Sequence, residues 1–266
     1  MKILVPTDFS PNAAQALSFA KQLAHKEKAS ITLLYAFYAV YDFAAQATEI
    51  IAQIEADAKK ALKKEVKYGE EEGLTIDYKL QHGTVSTTIT SIAYKEDYDL
   101  IVMGTQGASG IKKALIGSNT GHTIKESMVP VLAVPGKSDF SALKKITVCL
   151  ELRKEDPKYF STLFHLTKNL GLPYEFIHFS KEMSFEEVIE FKGLEVFLKS
   201  EFPELTMSFI KKDNSSLEDG IKNYLDEDNA MLVMFSKQKS FFEYLFNQSS
   251  SLQMAYHTHV PLLVIK

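Results

Sequence analysis

Short apolar runs typical of strands alternate along the chain with longer segments in which apolar residues recur at helical spacing. In the first half, the strand-type runs cover residues 2–6, 30–37, 74–80, 99–103 and 131–134. Helical spacing predicts helices from residue 11 to about 24, over 47–66, over 84–95 and after residue 120. Five strands alternating with helices predict an α/β fold with a doubly wound, Rossmann-like parallel sheet.

The ends of the predicted strands indicate where a ligand would bind. In a doubly wound sheet, ligands lie beyond the carboxyl ends of the strands, where the strand order reverses. Asp8, Ala36 and Gly104 each follow or end such a strand. We therefore expect these residues to surround one crevice. Ser10 and Pro11 are typical of an N-cap and a first helical residue, so the first helix should begin there.

The second half of the chain repeats this pattern. Residues 2–8 align with 145–151, residues 100–103 align with 231–234, and the register then continues without a gap to 260–263. A repeat of this length predicts two tandem domains of the same doubly wound class. We assign them to residues 1–138 and 139–266, joined by a short polar linker at 136–141.

The segment from Met103 to Thr120 holds four of the twelve glycines and stands between a predicted strand and a predicted helix. Glycine permits close approach of the backbone to a ligand, and the free N–H groups of a helix N-terminus attract anions. With Ser118 interpreted as the N-cap, the segment predicts a phosphate-binding loop. The alternative is a flexible connection that merely needs turns.

The same segment of the second copy lacks these glycines. In the ungapped register Gly104, Gly107 and Gly117 correspond to Phe235, Gln238 and Gln248, as the aligned residues show. A loop without glycine does not easily bring its backbone against phosphates, and the aromatic cluster at 241–246 could fill the space. The second crevice is therefore predicted to be closed.

Composition narrows the function classes. The net charge is −4, and residues 139–266 supply all of it, so neither half has the basic balance of a nucleic-acid-binding protein. No apolar run approaches the roughly 20 residues that span a bilayer, and the chain starts without a signal-peptide pattern. We expect a cytoplasmic protein without nucleic-acid or membrane partners.

The single Cys149 is interpreted as a core residue, with a reactive thiol as the alternative.

The glycine spacing, taken with its context, resembles that of a known family. Gly104-x2-Gly107-x9-Gly117-Ser118 follows an apolar strand and precedes Val-Pro-Val-Leu, and Val-Pro-Thr-Asp-Phe-Ser stands near the start. This combination resembles the universal stress protein family over residues 1–136, and more weakly over 144–266. The resemblance implies a nucleotide-binding fold similar to that of the adenine nucleotide alpha hydrolases, and a regulatory role in the stress response.

The resemblance also implies roles for individual positions. Pro6 and Asp8 would line the ribose and adenine side, and Ala36 would offer backbone groups to adenine. The glycine segment would border the ribose and the phosphates through Met103, Gly104, Gln106, Gly107, Gly117, Ser118, Asn119 and Thr120. Gln106 departs from the family pattern, in which this position often holds a basic or aromatic residue, and the departure bears on affinity.

The implied cofactor is ATP or another adenine nucleotide. A triphosphate carries about four negative charges, which helix-end N–H groups and hydroxyls only partly offset. We therefore expect Mg²⁺ or Mn²⁺ to accompany the nucleotide, with Asp8 in reach of the cation, while no permanent metal site is predicted. Lys112 and Lys113 either close over the phosphates or form a solvated face.

Three functions remain open. The first is a nucleotide-binding regulatory protein without catalysis, the second a weak ATP-hydrolysing enzyme, and the third a ligand-independent scaffold. The sequence contains no Gly-x4-Gly-Lys-Ser/Thr motif, and no catalytic residue is assigned. His82 is interpreted as a surface residue, and His257 and His259 as a strand lead-in rather than metal ligands.

The resemblance bears on assembly as well. Members of the family typically dimerise by pairing their last strands, which here are residues 131–134 and 262–265 of one chain. The two domains are therefore expected to form a pseudo-dimer within the chain, and a further homodimer is left open.

Overall fold

The chain divides between Gly136 and Lys137 into two units, each of which contributes five parallel strands. This computed structural model describes residues 1–38, 45–105, 117–152, 156–213, 224, 229–236 and 260–266, without the side chains of 45–48. Several residues that the sequence analysis singles out lie outside the described residues: Gln106, Gly107, Lys112, Lys113, the aromatic cluster at 241–246, His257 and His259. The division falls shortly before the boundary at 138/139 that the repeat predicts.

The first unit contains five strands and four helices among its described residues. In chain order they are β1 (Lys2–Pro6), α1 (Pro11–Glu27), β2 (Ser30–Phe37), α2 (Ala45–Glu71), β3 (Thr75–His82), α3 (Val85–Lys95), β4 (Leu100–Gly104), α4 (Ser118–Glu126) and β5 (Val131–Val134). The strand order is β3-β2-β1-β4-β5, and the pairs β1–β2, β2–β3, β1–β4 and β4–β5 are all parallel. This confirms the doubly wound α/β class.

Local sequence accounts for where the first helix begins. Ser10 has an extended backbone, and its hydroxyl accepts a hydrogen bond from the N–H of Ala13 at 3.2 Å. Pro11 follows as the first helical residue, a position that needs no donor. The predicted start of α1 is thus confirmed. Its buried face packs against β1, β2, β4 and β5, while α3 packs against β2 and α4.

The described strands of the second unit follow the same order as those of the first. Its elements are β6 (Lys145–Leu150), α5 (Pro157–Thr167) with a 3₁₀ turn at Lys168–Leu170, β7 (Tyr174–Phe179), α6 (Phe185–Glu201), β8 (Met207–Lys212), β9 (Ala230–Phe235) and β10 (Leu262–Ile265). The order is β10-β9-β6-β7-β8, again with parallel neighbours.

The two units also share an unusual backbone feature at equivalent places. Phe9, in the loop after β1, has φ of 60°, and Leu152, in the loop after β6, has φ of 53°. A left-handed backbone is uncommon for residues other than glycine, and here it recurs at equivalent positions of the two units. Among the described residues, no helix is long and apolar enough to cross a membrane. The cytoplasmic location stays a prediction.

Cys149 lies in the core of the second unit on β6. It is 1% exposed, and burial raises the pKa of its thiol because the thiolate loses hydration. We predict that the native protein does not react with a thiol reagent such as Ellman's reagent at pH 8, and that one thiol per chain reacts once the protein is unfolded in guanidinium chloride. Rapid labelling of the native chain would contradict the core assignment.

Candidate functional site

A cavity of about 290 Å³ lies at the carboxyl edge of the first sheet. Strand order reverses between β1 and β4, which is the place where doubly wound sheets bind ligands. Every predicted site residue that the structure describes lines this cavity: Pro6, Asp8, Ala36, Met103, Gly104, Gly117, Ser118, Asn119 and Thr120. The structure therefore brings these predicted residues together around one cavity, and their roles toward a nucleotide stay predictions.

Five further residues line the cavity and were not predicted: Thr7, Ala13, Leu34, Val85 and Ile89. Val85 and Ile89 are four residues apart and so share one face of α3. Their apolar spacing is visible in the sequence, but it does not show which face of the sheet the helix covers. Thr7 and Leu34 neighbour predicted residues and could have been included on that ground.

The end of β1 leaves backbone groups of β2 facing the cavity. The N–H of Thr7 donates to the carbonyl of Leu34 at 2.9 Å, so the polar backbone groups of Leu34 point toward β1. Backbone groups alternate in direction along a strand, so the N–H and C=O of Ala36 point to the same side. There β1 has already ended at Pro6. Ala36 therefore presents one donor and one acceptor to the cavity.

Side chains of the loop after β1 fix its shape. The N–H of Phe9 donates to Thr7 Oγ1 at 3.0 Å, and the N–H of Ser10 donates to Asp8 Oδ1, also at 3.0 Å. The ring of Phe9 stacks on Tyr35 with centroids 5.1 Å apart. These contacts hold the left-handed residue Phe9 and place the exposed carboxylate of Asp8 at the rim of the cavity.

The N-terminus of α4 forms the polar end of the cavity. Its N-cap is Gly117, so the assignment of Ser118 as the N-cap was wrong by one residue. The N–H of Gly117 donates to the carbonyl of Thr105, which anchors the cap to the end of β4, and the first bond within the helix runs from the N–H of Gly121 to the carbonyl of Gly117. Because the first N–H groups of a helix have no acceptor within it, those of residues 118–120 form an anion-attracting end.

Thr120 ties this helix end to the sheet. Its hydroxyl donates to the carbonyl of Gly104 at 2.7 Å, and its side chain is buried. The hydroxyl thus satisfies the last carbonyl of β4 while the neighbouring Ser118 and Asn119 side chains stay exposed. Thr120 has a structural role in addition to its place in the cavity lining.

Gly104 is required by packing rather than by an unusual backbone angle. A Cβ at this position would lie 2.9 Å from the carbonyl oxygen of Asn12 and 3.0 Å from its carbonyl carbon. Neither Gly104 nor Gly117 has a positive φ, whereas Gly73, Gly83 and Gly171 do. The glycine therefore lets the first turn of α1 approach the end of β4, which sets the width of the cavity on that side.

Polar and apolar groups are separated within the cavity. The apolar surface comes from Pro6, Leu34, Val85, Ile89 and Met103. The start of α4 and the loop after β1 provide N–H, hydroxyl and carboxylate groups. Asp8 carries the one formal charge among the described lining residues. A ligand with a planar apolar part and an anionic tail matches this division.

The equivalent place in the second unit is filled by aromatic rings. Phe235 ends β9 as Gly104 ends β4, and it is fully buried. Its ring stacks on that of Tyr159, with the centroids 5.1 Å apart, and packs edge-on against that of Phe160, with the centroids 5.2 Å apart. Tyr159 and Phe160 both lie at the start of α5. The close approach of helix and strand seen at Gly104 is replaced there by side-chain packing.

Two further sequence predictions concern histidines and metals. His82 is exposed at the end of β3 and packs edge-on against Phe37 with centroids 5.4 Å apart, away from the cavity lining. Its interpretation as a surface residue is confirmed. Within the described ranges no group of three or more His, Cys, Asp or Glu side chains could hold a metal ion.

Comparison with known proteins gives one consistent family. The model of the universal stress protein family matches residues 1–135. Universal stress protein MJ0531 of Methanocaldococcus jannaschii is 34% identical over 140 residues, which are 50% of this chain and 81% of that protein. Universal stress protein MJ0577 of the same organism is 29% identical over 155 residues, which are 52% of this chain and 96% of that protein.

The comparison with solved structures extends to the second unit. A crystal structure of a universal stress protein from Archaeoglobus fulgidus matches 100% of this chain and 96% of its own, with a TM-score of 0.76 and 21% identity. At this identity the match shows a common fold. The two-unit architecture therefore occurs in another solved protein.

We predict that Gly104→Ala lowers the free energy of unfolding by about 1–3 kcal/mol, because the added methyl group overlaps the backbone of Asn12. The matched control is Gly193→Ala on α6, where a Cβ meets nothing within 4 Å, and which should stabilise the protein by up to about 1 kcal/mol. Urea denaturation followed by circular dichroism measures both. Equal stability of Gly104→Ala and wild type would contradict the packing role.

Proposed function

Because the chain belongs to the universal stress protein family, we propose that its first unit binds one adenine nucleotide, with ATP as the preferred ligand. The second unit binds none and is kept for assembly. Nucleotide occupancy of the first unit then acts as a regulatory signal in the stress response. The proposed protein thus binds a nucleotide and regulates, and it does not catalyse a reaction.

The observation that carries the proposal is the separation of polar and apolar groups in the cavity. Adenine fits the apolar part between Val85 and Met103, where the backbone of Ala36 is within the lining. The C=O of Ala36 can accept from the adenine amino group, and its N–H can donate to a ring nitrogen. Guanine presents an acceptor where adenine presents the amino donor, so the same backbone groups would oppose it.

The phosphates belong at the start of α4. Three successive N–H groups, at residues 118–120, and the hydroxyl of Ser118 lie at that end of the cavity. They offset only part of the charge of a triphosphate, and the described lining contains no lysine or arginine. A divalent cation bound with the nucleotide would supply the missing positive charge.

The residues present suit a cation that arrives with its ligand. Magnesium is commonly held by one or two carboxylates together with substrate phosphates and water. Asp8 is the one carboxylate among the described lining residues, which is too few for a site without nucleotide. We propose that Asp8 meets Mg²⁺ or Mn²⁺ directly or through water, and that the metal site is completed by the phosphates.

Binding is favoured over catalysis by what the described lining offers. It contains no histidine, lysine, cysteine or glutamate, and Asp8 is the one ionisable side chain that could serve as a base. A hydrolase needs a base positioned beside the attacked phosphate. Asp8 follows β1, while the proposed phosphate end lies at α4, and its Oδ1 already accepts from the N–H of Ser10.

We predict that Mg-ATP binds the full chain with a stoichiometry of one in isothermal titration calorimetry, and that Mg-GTP binds at least about tenfold more weakly, since a guanine base leaves the Ala36 groups unpaired. Gly117→Val should abolish Mg-ATP binding, because its side chain projects at the cap of α4. The backbone of Gly117 is extended, with φ of −60° and ψ of 156°, angles that a valine also adopts.

The control for this variant is Thr84→Val. Thr84 is the N-cap of α3, its side chain makes no capping hydrogen bond, and it is outside the cavity lining. It should bind Mg-ATP as wild type does. Absence of Mg-ATP binding by the wild-type chain, or equal binding by Gly117→Val, would overturn the proposed site.

We predict that the protein loaded with Mg-ATP releases no phosphate above the uncatalysed background in a malachite green assay, because the described lining offers no well-placed base. The matched variant is Asp8→Asn, which keeps the side-chain shape. Turnover by wild type that Asp8→Asn abolishes would establish the enzyme alternative in place of the proposed function.

A further inference from the structure

Helix α2 carries an apolar stripe that its own unit does not cover. Ile50, Ile54 and Tyr68 are 60%, 39% and 45% exposed. At about 100° of rotation per residue, these three positions and Ala61 fall within about 40° of one another on the helix surface. Exposed apolar side chains aligned along one helix face are typical of a surface that packs against another molecule.

The stripe is distinct from the face that α2 uses within its unit. Ala58, Leu62 and Gly69 are buried, and a Cβ at Gly69 would lie 2.8 Å from the side chain of Ile76 on β3. These inward residues lie about 80° around the helix from the stripe. The stripe therefore borders the core face without belonging to it.

Charge is divided along α2 in a way that points to a partner. Its first part, from residue 49 to 57, carries Glu49, Glu55 and Asp57 and no basic residue. The part from 59 to 67 carries Lys59, Lys60, Lys63, Lys64 and Lys67 with one acidic residue, Glu65, and the helix ends with Glu70 and Glu71 beyond the pairing segment. Lysines four residues apart repel each other within a helix, so an acidic surface opposite them would be stabilising.

We propose that α2 is the contact between two copies of this chain, with the two helices antiparallel about a twofold axis near residue 59. The acidic part of each helix then faces the basic part of the other. Ile50 packs against Tyr68 of the second copy, and Ile54 packs against its Ala61 and Lys64. The apolar stripe is covered over most of the helix, which is about 40 Å long at 1.5 Å per residue.

The positions of the charged residues favour this antiparallel arrangement. Five charged residues lie on the same side of the stripe, away from the core face: Glu49, Asp57, Lys60, Lys64 and Lys67. In an antiparallel twofold pair, that side meets the same side of the other helix. The register that joins Ile50 to Tyr68 brings Glu49 near Lys67 and Asp57 near Lys60, each twice because the contact is isologous.

A parallel pair would place like charges side by side, acidic part against acidic part.

The contacts that these groups make within the chain are weak enough to exchange. Lys67 lies 3.8 Å from Glu71 in an exposed ion pair, Gln53 donates to Asp57 at 3.0 Å, and Lys64 Nζ lies 5.5 Å from the centroid of the Tyr68 ring. Exposed pairs of this kind contribute little to stability. They do not compete strongly with pairing across the twofold axis.

The test is sedimentation equilibrium of the full chain at low and high ionic strength. A dimer is expected at low salt, and its association should weaken several-fold as salt is raised, because the charge pairs are exposed. Ile50→Glu should abolish the dimer while leaving the circular dichroism spectrum unchanged, since the residue is exposed. A chain that stays monomeric at both salt concentrations, or a dimer that Ile50→Glu leaves intact, would overturn the proposal.

A charge exchange tests the register. Asp57→Lys and Lys60→Glu should each weaken the dimer several-fold, and the double variant should restore it, because the isologous contact then holds both pairs with reversed sign. Failure of the double variant to restore association would overturn the register. The control is Val196→Lys on α6, which changes an apolar residue that is 69% exposed and should leave association as in wild type.

The proposal is independent of nucleotide binding. None of the α2 side chains that the structure describes, from residue 49 to 71, lines the cavity. The charge-exchange variants should therefore bind Mg-ATP as the wild-type chain does.

Discussion

The contact between the first turn of α1 and the last residue of β4 decides the form of the candidate site. Gly104 has no side chain, so the backbone of Asn12 lies where a Cβ would point. With the helix start held this close, the cavity at the carboxyl edge is bounded by the β1 loop, by Ala36 of β2 and by the start of α4. The carbonyl of Gly104 also accepts from Thr120, so the same residue positions the polar end of the cavity.

The second unit shows what the fold becomes without that contact. Its strand order is the same, and its loop after β6 repeats the left-handed residue of the loop after β1. Phe235 stands where Gly104 stands, and the aromatic rings of Tyr159 and Phe160 occupy the space beside it. The sheet and its connections therefore tolerate either arrangement. At this position Gly104 lines a cavity in the first unit, whereas Phe235 is fully buried in the second.

Sequence periodicity was sufficient for the strands, for the doubly wound class and for the start of α1, because these depend on local pattern and caps. It was insufficient where contacts depend on neighbours distant in sequence. The N-cap of α4 is Gly117 rather than Ser118 because the N–H of Gly117 is bound by Thr105. Val85 and Ile89 entered the cavity because α3 crosses over β2, which their spacing alone does not reveal. The sequence predicts that the aromatic cluster at 241–246 fills the second crevice, and those residues lie outside the described ranges. The rings that pack beside the end of β9 are those of Tyr159 and Phe160 against Phe235, which that prediction did not include.

We propose that one nucleotide binds in the first unit, with its base at Ala36 and its phosphates at the start of α4. A crystal structure of the protein grown with Mg²⁺ and a non-hydrolysable ATP analogue tests this most directly. We expect electron density for one analogue per chain, with the adenine amino group at the carbonyl of Ala36 and phosphate oxygens at the N–H groups of residues 118–120. Density for the analogue in the second unit, or a first-unit cavity that stays empty at saturating analogue, would contradict it.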